Sequence, residues 1–308
     1  MDSLNRRRFL ERLGIALAAI PLGTSALSAS APRRRLLCFT KSSGFEHSVI
    51  KRPADGSLSL VERVLTEMGA KQGFDVTCTK DGGVFDTAAV RDHDAFFFFT
   101  SGYLTEVGTD KHPAMTDAGK AALLDAVKGG KGFVAFHAAT DSFHTLPDPT
   151  DRSNRYVPHG DATDPYLKML GGEFILHGKQ QKAWARVVDA KFPGMDGYGA
   201  ERVERMGEWY SLKDFQPDLH VTMVLETAGM EGAPYQRGPY PVTWARAHGR
   251  GRVFYSALGH REEEWAEPDA MPAMVAGALR WAFGDAKASI APNLAQVAPK
   301  AADIPPRG

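Results

Sequence analysis

Three histidines follow segments that read as buried β-strands, and each could do acid–base chemistry near neutral pH. His47 follows the first such segment, His137 a later one and His260 the last. Asp141 lies four residues after His137, and Glu262 lies two residues after His260. A carboxylate partner fixes the tautomer of an imidazole and raises its pKa, so such pairs can serve as general acid or base. We therefore predict His137, Asp141, His260 and Glu262 as catalytic residues.

Neutral histidine and carboxylate side chains can also bind a divalent metal such as zinc. The spacing matches no compact metal signature such as His-Glu-x-x-His, so a metal site would have to be assembled by the fold. Taken singly, each histidine can equally be a hydrogen-bonded structural residue. The candidate metal ligands are His47, His137, Asp141, His177 and His260.

The elements that must position these side chains alternate between strand and helix. Helices are predicted around 60–68, over 116–128 and over 270–283, and the early strands are predicted at 36–40, 74–78, 95–100 and 132–136. This order implies a parallel, doubly wound sheet, in which ligands bind at the carboxyl ends of the strands. Residues 142–180 read as a loop-rich insertion, and later strands are expected at 183–188, 219–225, 241–247 and 252–257.

Composition limits the range of functions. The chain has 308 residues, with 37 Lys plus Arg against 37 Asp plus Glu, so no global field favours nucleic acid. No Gly-x-Gly-x-x-Gly motif follows the first strand, and no nucleotide cofactor is expected. The sequence leaves open whether the chain forms a homo-oligomer. Cys38 and Cys78 are expected to be two buried thiols rather than a disulfide.

Residues 1–30 read as a twin-arginine export signal. Arg6-Arg7-Arg8-Phe9-Leu10 is followed by a short apolar run and then by small residues. The run is too short to span a bilayer, so we expect no stable membrane insertion and a periplasmic or secreted protein. The alternative is a basic amphipathic helix. We expect one α/β domain over 31–285 and a loose tail over 286–308.

Five motifs, in order along the chain, carry a family resemblance. They are Gly44-Phe45-Glu46-His47, Phe136-His137-Ala138-Ala139-Thr140-Asp141, the segment from Gly171 to His177, Glu208-Trp209-Tyr210, and the segment from Gly251 to His260. Together they resemble the ThuA-like (trehalose utilisation) family over roughly 35–284. The resemblance implies a class I glutamine amidotransferase-like fold, which is a flavodoxin-like α/β fold with a mainly parallel, doubly wound sheet and added strands.

The resemblance also sharpens the turn at His137. Amidotransferases carry a cysteine nucleophile there and a late His-x-Glu pair, which His260-Arg261-Glu262 resembles. This turn offers no Cys or Ser, and a thioester mechanism needs a thiolate, so glutamine hydrolysis by that route is excluded. Relatives commonly have histidine where this chain has Tyr240, and often proline where it has Gly178.

The resemblance implies a small-molecule carbohydrate partner, such as trehalose or a 3-keto disaccharide. The leading expectation is a hydrolase, lyase or isomerase that uses histidine–carboxylate chemistry without a cysteine nucleophile. A non-catalytic periplasmic module that binds a sugar or a partner protein, and a metal-dependent hydrolase, are the alternatives. Aromatic residues of strands usually fill a core, so Tyr103, Trp209 and Tyr210 could be core residues instead of substrate-binding ones. The expected substrate-binding residues are His47, Tyr103, Thr140, Glu208, Trp209 and Tyr210.

Overall fold

A computed structural model describes residues 32–146, 152–199, 201–266 and 269–307. The export signal predicted for residues 1–30 lies outside these residues. From Arg33 onwards the described residues belong to one unit. No helix among them is long and apolar enough to cross a bilayer.

Within the part of the chain that the structure describes, nine strands form one mixed sheet and two more form a small sheet. The strands are β1 (Arg34–Phe39), β2 (Phe74–Thr79), β3 (Ala95–Phe98), β4 (Gly132–Phe136), β5 (Glu173–His177), β6 (Gln181–Val187), β7 (Arg202–Gly207), β8 (Tyr210–Lys213), β9 (His220–Glu226), β10 (Tyr240–His248) and β11 (Gly251–Ser256). The large sheet runs in the order β2-β1-β3-β4-β11-β10-β9-β6-β7, and β5 pairs with β8.

The centre of the large sheet is parallel, because β1, β3, β4 and β11 pair in that sense. Every residue of β3 and β4 is buried, as expected for strands covered on both faces. Beyond β11 the pairs β11–β10, β10–β9, β9–β6 and β6–β7 are antiparallel. The predicted α/β class with a parallel core and added strands is therefore confirmed.

Six helices lie within the described residues. They are α1 (Leu60–Gln72), α2 (Ala89–Asp92), α3 (Asp117–Lys128), α4 (Pro165–Leu170), α5 (Met271–Phe283) and α6 (Leu294–Val297). The side chain of Ser59 caps α1 by accepting a hydrogen bond from the backbone of Glu62, and Thr116 caps α3 in the same way from Gly119. The helices predicted over 116–128 and 270–283 match α3 and α5 to within one residue at each end.

The structure differs from the expectation of a loose tail after residue 285. Ala298 and Ala301 are buried, and the Asn293 side chain both accepts from and donates to the backbone of Val221. Arg186 donates to the Val297 carbonyl oxygen. The segment is poor in large apolar residues, but polar groups bind it to the sheet, which hydrophobic periodicity does not reveal.

The two cysteines lie directly opposite each other in neighbouring strands. Cys38 of β1 is in register with Cys78 of β2, and both are free thiols. Cys38 is fully buried and Cys78 is half-buried. The expectation of two thiols agrees with this arrangement.

Candidate functional site

Three histidines and one glutamate meet at the carboxyl edge of the parallel strands. One ligand atom from each of His47, His137, His260 and Glu208 lies within 4.8 Å of the others. The histidines follow β1, β4 and β11, whereas Glu208 lies between β7 and β8. The sequence prediction that three strand ends deliver histidines to one place is confirmed, and the carboxylate between them comes from elsewhere in the chain.

His137 is held in a strained and specific orientation. Its φ of 47° is unusual for a residue with a side chain. Its Nδ1 lies 2.8 Å from the carbonyl oxygen of Ala257, so Nδ1–H donates there and Nε2 keeps its lone pair. That Nε2 lies 3.3 Å from Oε2 of Glu208 and 3.2 Å from Nδ1 of His260. Backbone strain of this kind concentrates at functional sites.

Glu208 is the centre of the cluster. Its Oε2 lies 3.1 Å from Nδ1 of His260 and 4.0 Å from Nε2 of His47, and its Oε1 lies 3.4 Å from Nδ1 of His177. Burial raises the pKa of Glu208, but the neighbouring His137 and a hydrogen bond with His260 outweigh it and hold the pKa well below its usual range. Glu208 is therefore ionised at any physiological pH.

His47 and His137 are uncharged near neutral pH. Burial, together with the neighbouring His137 and His260, lowers the pKa of His47 to about 2. Burial also lowers the pKa of His137, although Glu208 opposes it. Neutral imidazole nitrogens around an ionised carboxylate form an electron-rich centre that lacks a positive charge. This donor set fits a divalent cation, with His47, His137, His260 and Glu208 as ligands.

The other two predicted ligands lie differently. His177 is 41% exposed and stands at the rim, where its ring stacks on Tyr210 with an interplanar angle of 12°. Asp141 lies outside the four-residue centre and pairs with His144 instead.

Neither predicted histidine–carboxylate pair forms. Residues His137–Asp141 make a 3-10 turn, in which positions three apart, not four, share a side. Asp141 instead contacts His144, which lies beyond the end of the turn, at 2.6 Å from Oδ1 to Nε2. Glu262 is exposed at the start of another 3-10 turn, and Glu264 accepts from the backbone there. The actual partner of both His137 and His260 is Glu208.

The predicted substrate-binding residues divide between wall and core. Tyr210 lines the pocket, with its ring 4.2 Å from that of His137. Trp209 is buried, and its Nε1 donates to the Gln181 carbonyl oxygen. Thr140 is fully buried, with its hydroxyl 2.9 Å from that of Tyr255. Tyr103 is half-buried and is not among the described residues that line the cavity.

The cavity over the cluster has a volume of about 800 Å³. Phe45, 68% exposed, stands at its mouth with its ring against His47. Arg155 lies in the wall, 3.3 Å from Oδ1 of Asp141. The sequence did not reveal the roles of several residues of this pocket and its surroundings. The available signals were the three-residue spacing of Asp141 and His144 and the presence of Glu173 within the motif from Gly171 to His177. The missed residues are Phe45, His144, Arg155, Tyr156, Glu173 and Phe174.

A second acidic cluster lies behind the pocket, and a lysine already supplies its positive charge. His159, Glu173 and Asp214 bring their ligand atoms together. Nζ of Lys213 lies 2.9 Å from Nδ1 of His159, 3.6 Å from Glu173 and 3.5 Å from Asp214. The buried ammonium group lies among these carboxylates and offsets one of their two negative charges, so this cluster is better described as an ionic network than as a metal site.

Two departures from the family pattern have structural consequences. Tyr240 is fully buried in β10 beneath the guanidinium of Arg237 and is not part of the four-residue centre. It therefore does not substitute for a histidine ligand. The backbone N–H of Gly178 donates to the hydroxyl of Tyr235, a bond that proline could not make.

Comparison with known proteins agrees with this fold. The family described as ThuA, trehalose utilisation, matches residues 35–282. No curated protein matches the chain. A ThuA-like protein from Bacteroides uniformis ATCC 8492 is 18% identical with a TM-score of 0.58, over 82% of this chain and 93% of that one. One from Parabacteroides merdae ATCC 43184 is 16% identical with a TM-score of 0.50, over 84% and 92%. Identities this low show the fold alone, but the family match spans most of the sequence, and the chain belongs to the ThuA (trehalose utilisation) family.

Proposed function

We propose that the pocket is the active site of a metal-dependent enzyme that acts on a carbohydrate. One observation carries the proposal: donor atoms of His47, His137, His260 and Glu208 lie within 4.8 Å of one another at the bottom of an open cavity. Three histidine nitrogens and a carboxylate oxygen are a donor set that zinc prefers.

The chain's own residues prepare this centre. The Ala257 carbonyl oxygen fixes the tautomer of His137, as outer partners of metal-binding histidines do. The amide nitrogen of Gln180 lies 3.0 Å from Nε2 of His260, on the side of the ring away from Glu208. A divalent cation bound here would supply Lewis acidity towards a substrate oxygen.

The walls of the cavity suit a sugar. Its volume of about 800 Å³ lies within the range of small-molecule sites. Phe45 and Tyr156 offer aromatic faces, while Arg155 and Asp141 offer a donor and an acceptor for hydroxyl groups. The trehalose-utilisation family suggests trehalose or a 3-keto disaccharide as substrate, and hydrolysis, elimination or isomerisation as the reaction. The turn at His137 lacks a thiolate, so the proposal involves no acyl-enzyme.

The proposal places the enzyme outside the cytoplasm. Arg6-Arg7-Arg8-Phe9-Leu10 and the apolar run after it support export by the twin-arginine route. That route carries folded proteins, which is compatible with loading a metal before export.

Two measurements test the function. Elemental analysis of the purified protein should find about one equivalent of a divalent metal, and His137→Ala should lose it. Product analysis with trehalose and with its 3-keto derivative should then show turnover by the wild type and by Glu262→Gln, which changes an exposed carboxylate, but not by His137→Ala. Sugar binding without any turnover would contradict the enzyme and favour a binding module.

A further inference from the structure

A row of three side chains leads from the pocket into the protein interior: Asp141, His144 and Glu173. Asp141 lines the cavity, while His144 and Glu173 are buried behind it. We infer that Asp141 is the general acid of this pocket, that it exchanges its proton with His144, and that Glu173 is the positioning residue for His144. The inference rests on the proposed function and assigns a second task within the same site.

Asp141 is fixed so that one oxygen is held and the other is free to act. Its backbone carbonyl accepts from Gly102. Its Oδ1 lies 2.6 Å from Nε2 of His144 and 3.3 Å from Nη1 of Arg155. Among the described residues whose side chains are placed, Oδ2 has no hydrogen-bond or ion-pair partner. The side chain is 18% exposed and lines the cavity, so this oxygen is available to a bound molecule.

His144 uses both ring nitrogens. Its Nε2 faces Asp141 and its Nδ1 lies 3.2 Å from Oε1 of Glu173, while the side chain is 5% exposed. An imidazole between two carboxylates can donate from both nitrogens only when it is protonated. The geometry therefore describes an imidazolium, which stores one proton next to the pocket.

The surrounding charges favour the protonated ring. Burial lowers the pKa of His144, but hydrogen bonds to Asp141 and Glu173 outweigh it and raise the pKa above its ordinary value; Arg155 opposes them weakly. Tyr103 is the other titratable group that faces the ring, at 6.2 Å between centroids. It is uncharged near neutrality, because burial raises its pKa to about 12.

Glu173 is itself held in its ionised form. Burial raises its pKa, but the hydrogen bond with His144 and the charge of Lys213 lower it to about 2. Thr145 also donates to Oε2 from its hydroxyl, at 2.9 Å. A carboxylate fixed this firmly keeps the His144 ring in one orientation and keeps Nδ1 protonated.

The proton transfer balances without any other reactant. The Asp141–His144 pair holds one shared proton between the carboxylate and Nε2. The proton first passes from Nε2 of His144 to the carboxylate of Asp141, so the Nε2–H bond breaks, its electron pair stays on Nε2, and an Oδ–H bond forms. That Oδ–H bond then breaks as a new O–H bond forms with a lone pair of a substrate oxygen. The bonding electrons stay on Asp141. His144 is then neutral, with Nδ1–H still bonded to Glu173, and solvent returns the proton.

Titration of the full-length chain labelled with 13C-histidine tests the pair without any substrate. In the wild type, the His144 resonance, assigned by its loss in His144→Gln, should titrate above the ordinary value. In Glu173→Gln it should shift down by about one unit or more, because a favourable charge is lost. Glu262→Gln, which removes an exposed carboxylate, should leave it unchanged. A wild-type His144 that titrates at or below the ordinary value would overturn the inference.

Turnover of trehalose or its 3-keto derivative tests the catalytic role. Asp141→Asn should lower kcat by about 10²–10⁴-fold with metal content unchanged. The alkaline limb of the pH profile of kcat should move to lower pH in Glu173→Gln and disappear in His144→Gln. If Glu173→Gln does not fold, His144→Gln alone gives this test. An Asp141→Asn enzyme with full kcat would overturn the inference while leaving the proposed function standing. A wild type without metal or turnover refutes the proposed function and the acid role together, and the titration then reports on the pair alone.

Discussion

Oε2 of Glu208 lies 3.3 Å from Nε2 of His137, although the two residues belong to different parts of the fold. His137 follows β4 at the centre of the large sheet, and Glu208 precedes β8 of the small sheet. The turn that would carry a nucleophile in an amidotransferase therefore presents an imidazole to a carboxylate. This contact supports the proposed cation centre and offers no nucleophile for acyl transfer.

Replacing the central carboxylate should remove the cation site. Glu208→Gln keeps the shape but loses the charge that balances a divalent ion. We therefore expect affinity for Zn²⁺ to fall by more than the roughly 10–100-fold that the loss of an outer partner of a metal ligand costs. Glu262→Gln, which lies on an exposed turn, is the matched control and should bind as the wild type does. Isothermal titration of metal-free protein measures both. Equal affinities in the two variants would contradict the ligand assignment.

The buried network around Glu173 predicts how stability depends on pH. The pKa of this carboxyl is depressed from 4.5 to about 2, so its contribution is present above about pH 4.5 and is lost as the pH falls towards 2. The free energy of unfolding should therefore differ most between wild type and Glu173→Gln above pH 4.5, and converge below it. His144 acts in the opposite sense: its pKa is raised, so its contribution is complete below about 6.5 and is lost as the pH rises through the folded value. Urea denaturation across the pH range measures both limbs; a constant difference between the variants would contradict the network.

The backbone at His137 predicts which replacements the turn tolerates. Asparagine adopts a φ near 47° far more readily than a β-branched residue. We expect His137→Val to be less stable than His137→Asn by about 1–2 kcal/mol, although neither retains the ligand. Denaturant unfolding of the two variants compares them. If the valine variant proves as stable as the asparagine variant, the strained conformation is not present in solution.

The leader sequence predicts that export depends on the pair Arg6-Arg7. Replacing Arg6 and Arg7 together by lysine should stop export, whereas Arg8→Gln, at the variable position of the motif, should not. Cell fractionation with an antibody against the protein measures the distribution. Export of the double variant at the wild-type level would argue for a different N-terminal function.

Apolar runs in the sequence are sufficient to predict the central strands, because β3 and β4 are short and uniformly buried. They did not predict β5, β7 or β8. The residues of β7 alternate between exposed and half-buried, and carry charges that mask the strand pattern. The expectation of a loose tail after residue 285 is wrong for a related reason: Asn293 binds this segment to the sheet through polar contacts, which apolar patterns do not show.

The location of the site was predictable from the sequence, but the carboxylate that pairs with each histidine was not. The carboxyl edge of a parallel sheet gathers His47, His137 and His260 by topology alone. Proximity along the chain suggests Asp141 and Glu262 as their carboxylate partners, yet Asp141 contacts His144, which lies beyond the 3-10 turn. The true partner depends on how a second sheet docks onto this edge, which no local pattern encodes.

The most direct test of the cation centre is a crystal structure of the zinc-loaded protein with anomalous data at the zinc edge. The account predicts one strong peak in contact with nitrogens of His47, His137 and His260 and an oxygen of Glu208, at distances of about 2.0–2.2 Å. A peak elsewhere, or none at these four side chains in protein exposed to stoichiometric zinc, would contradict it.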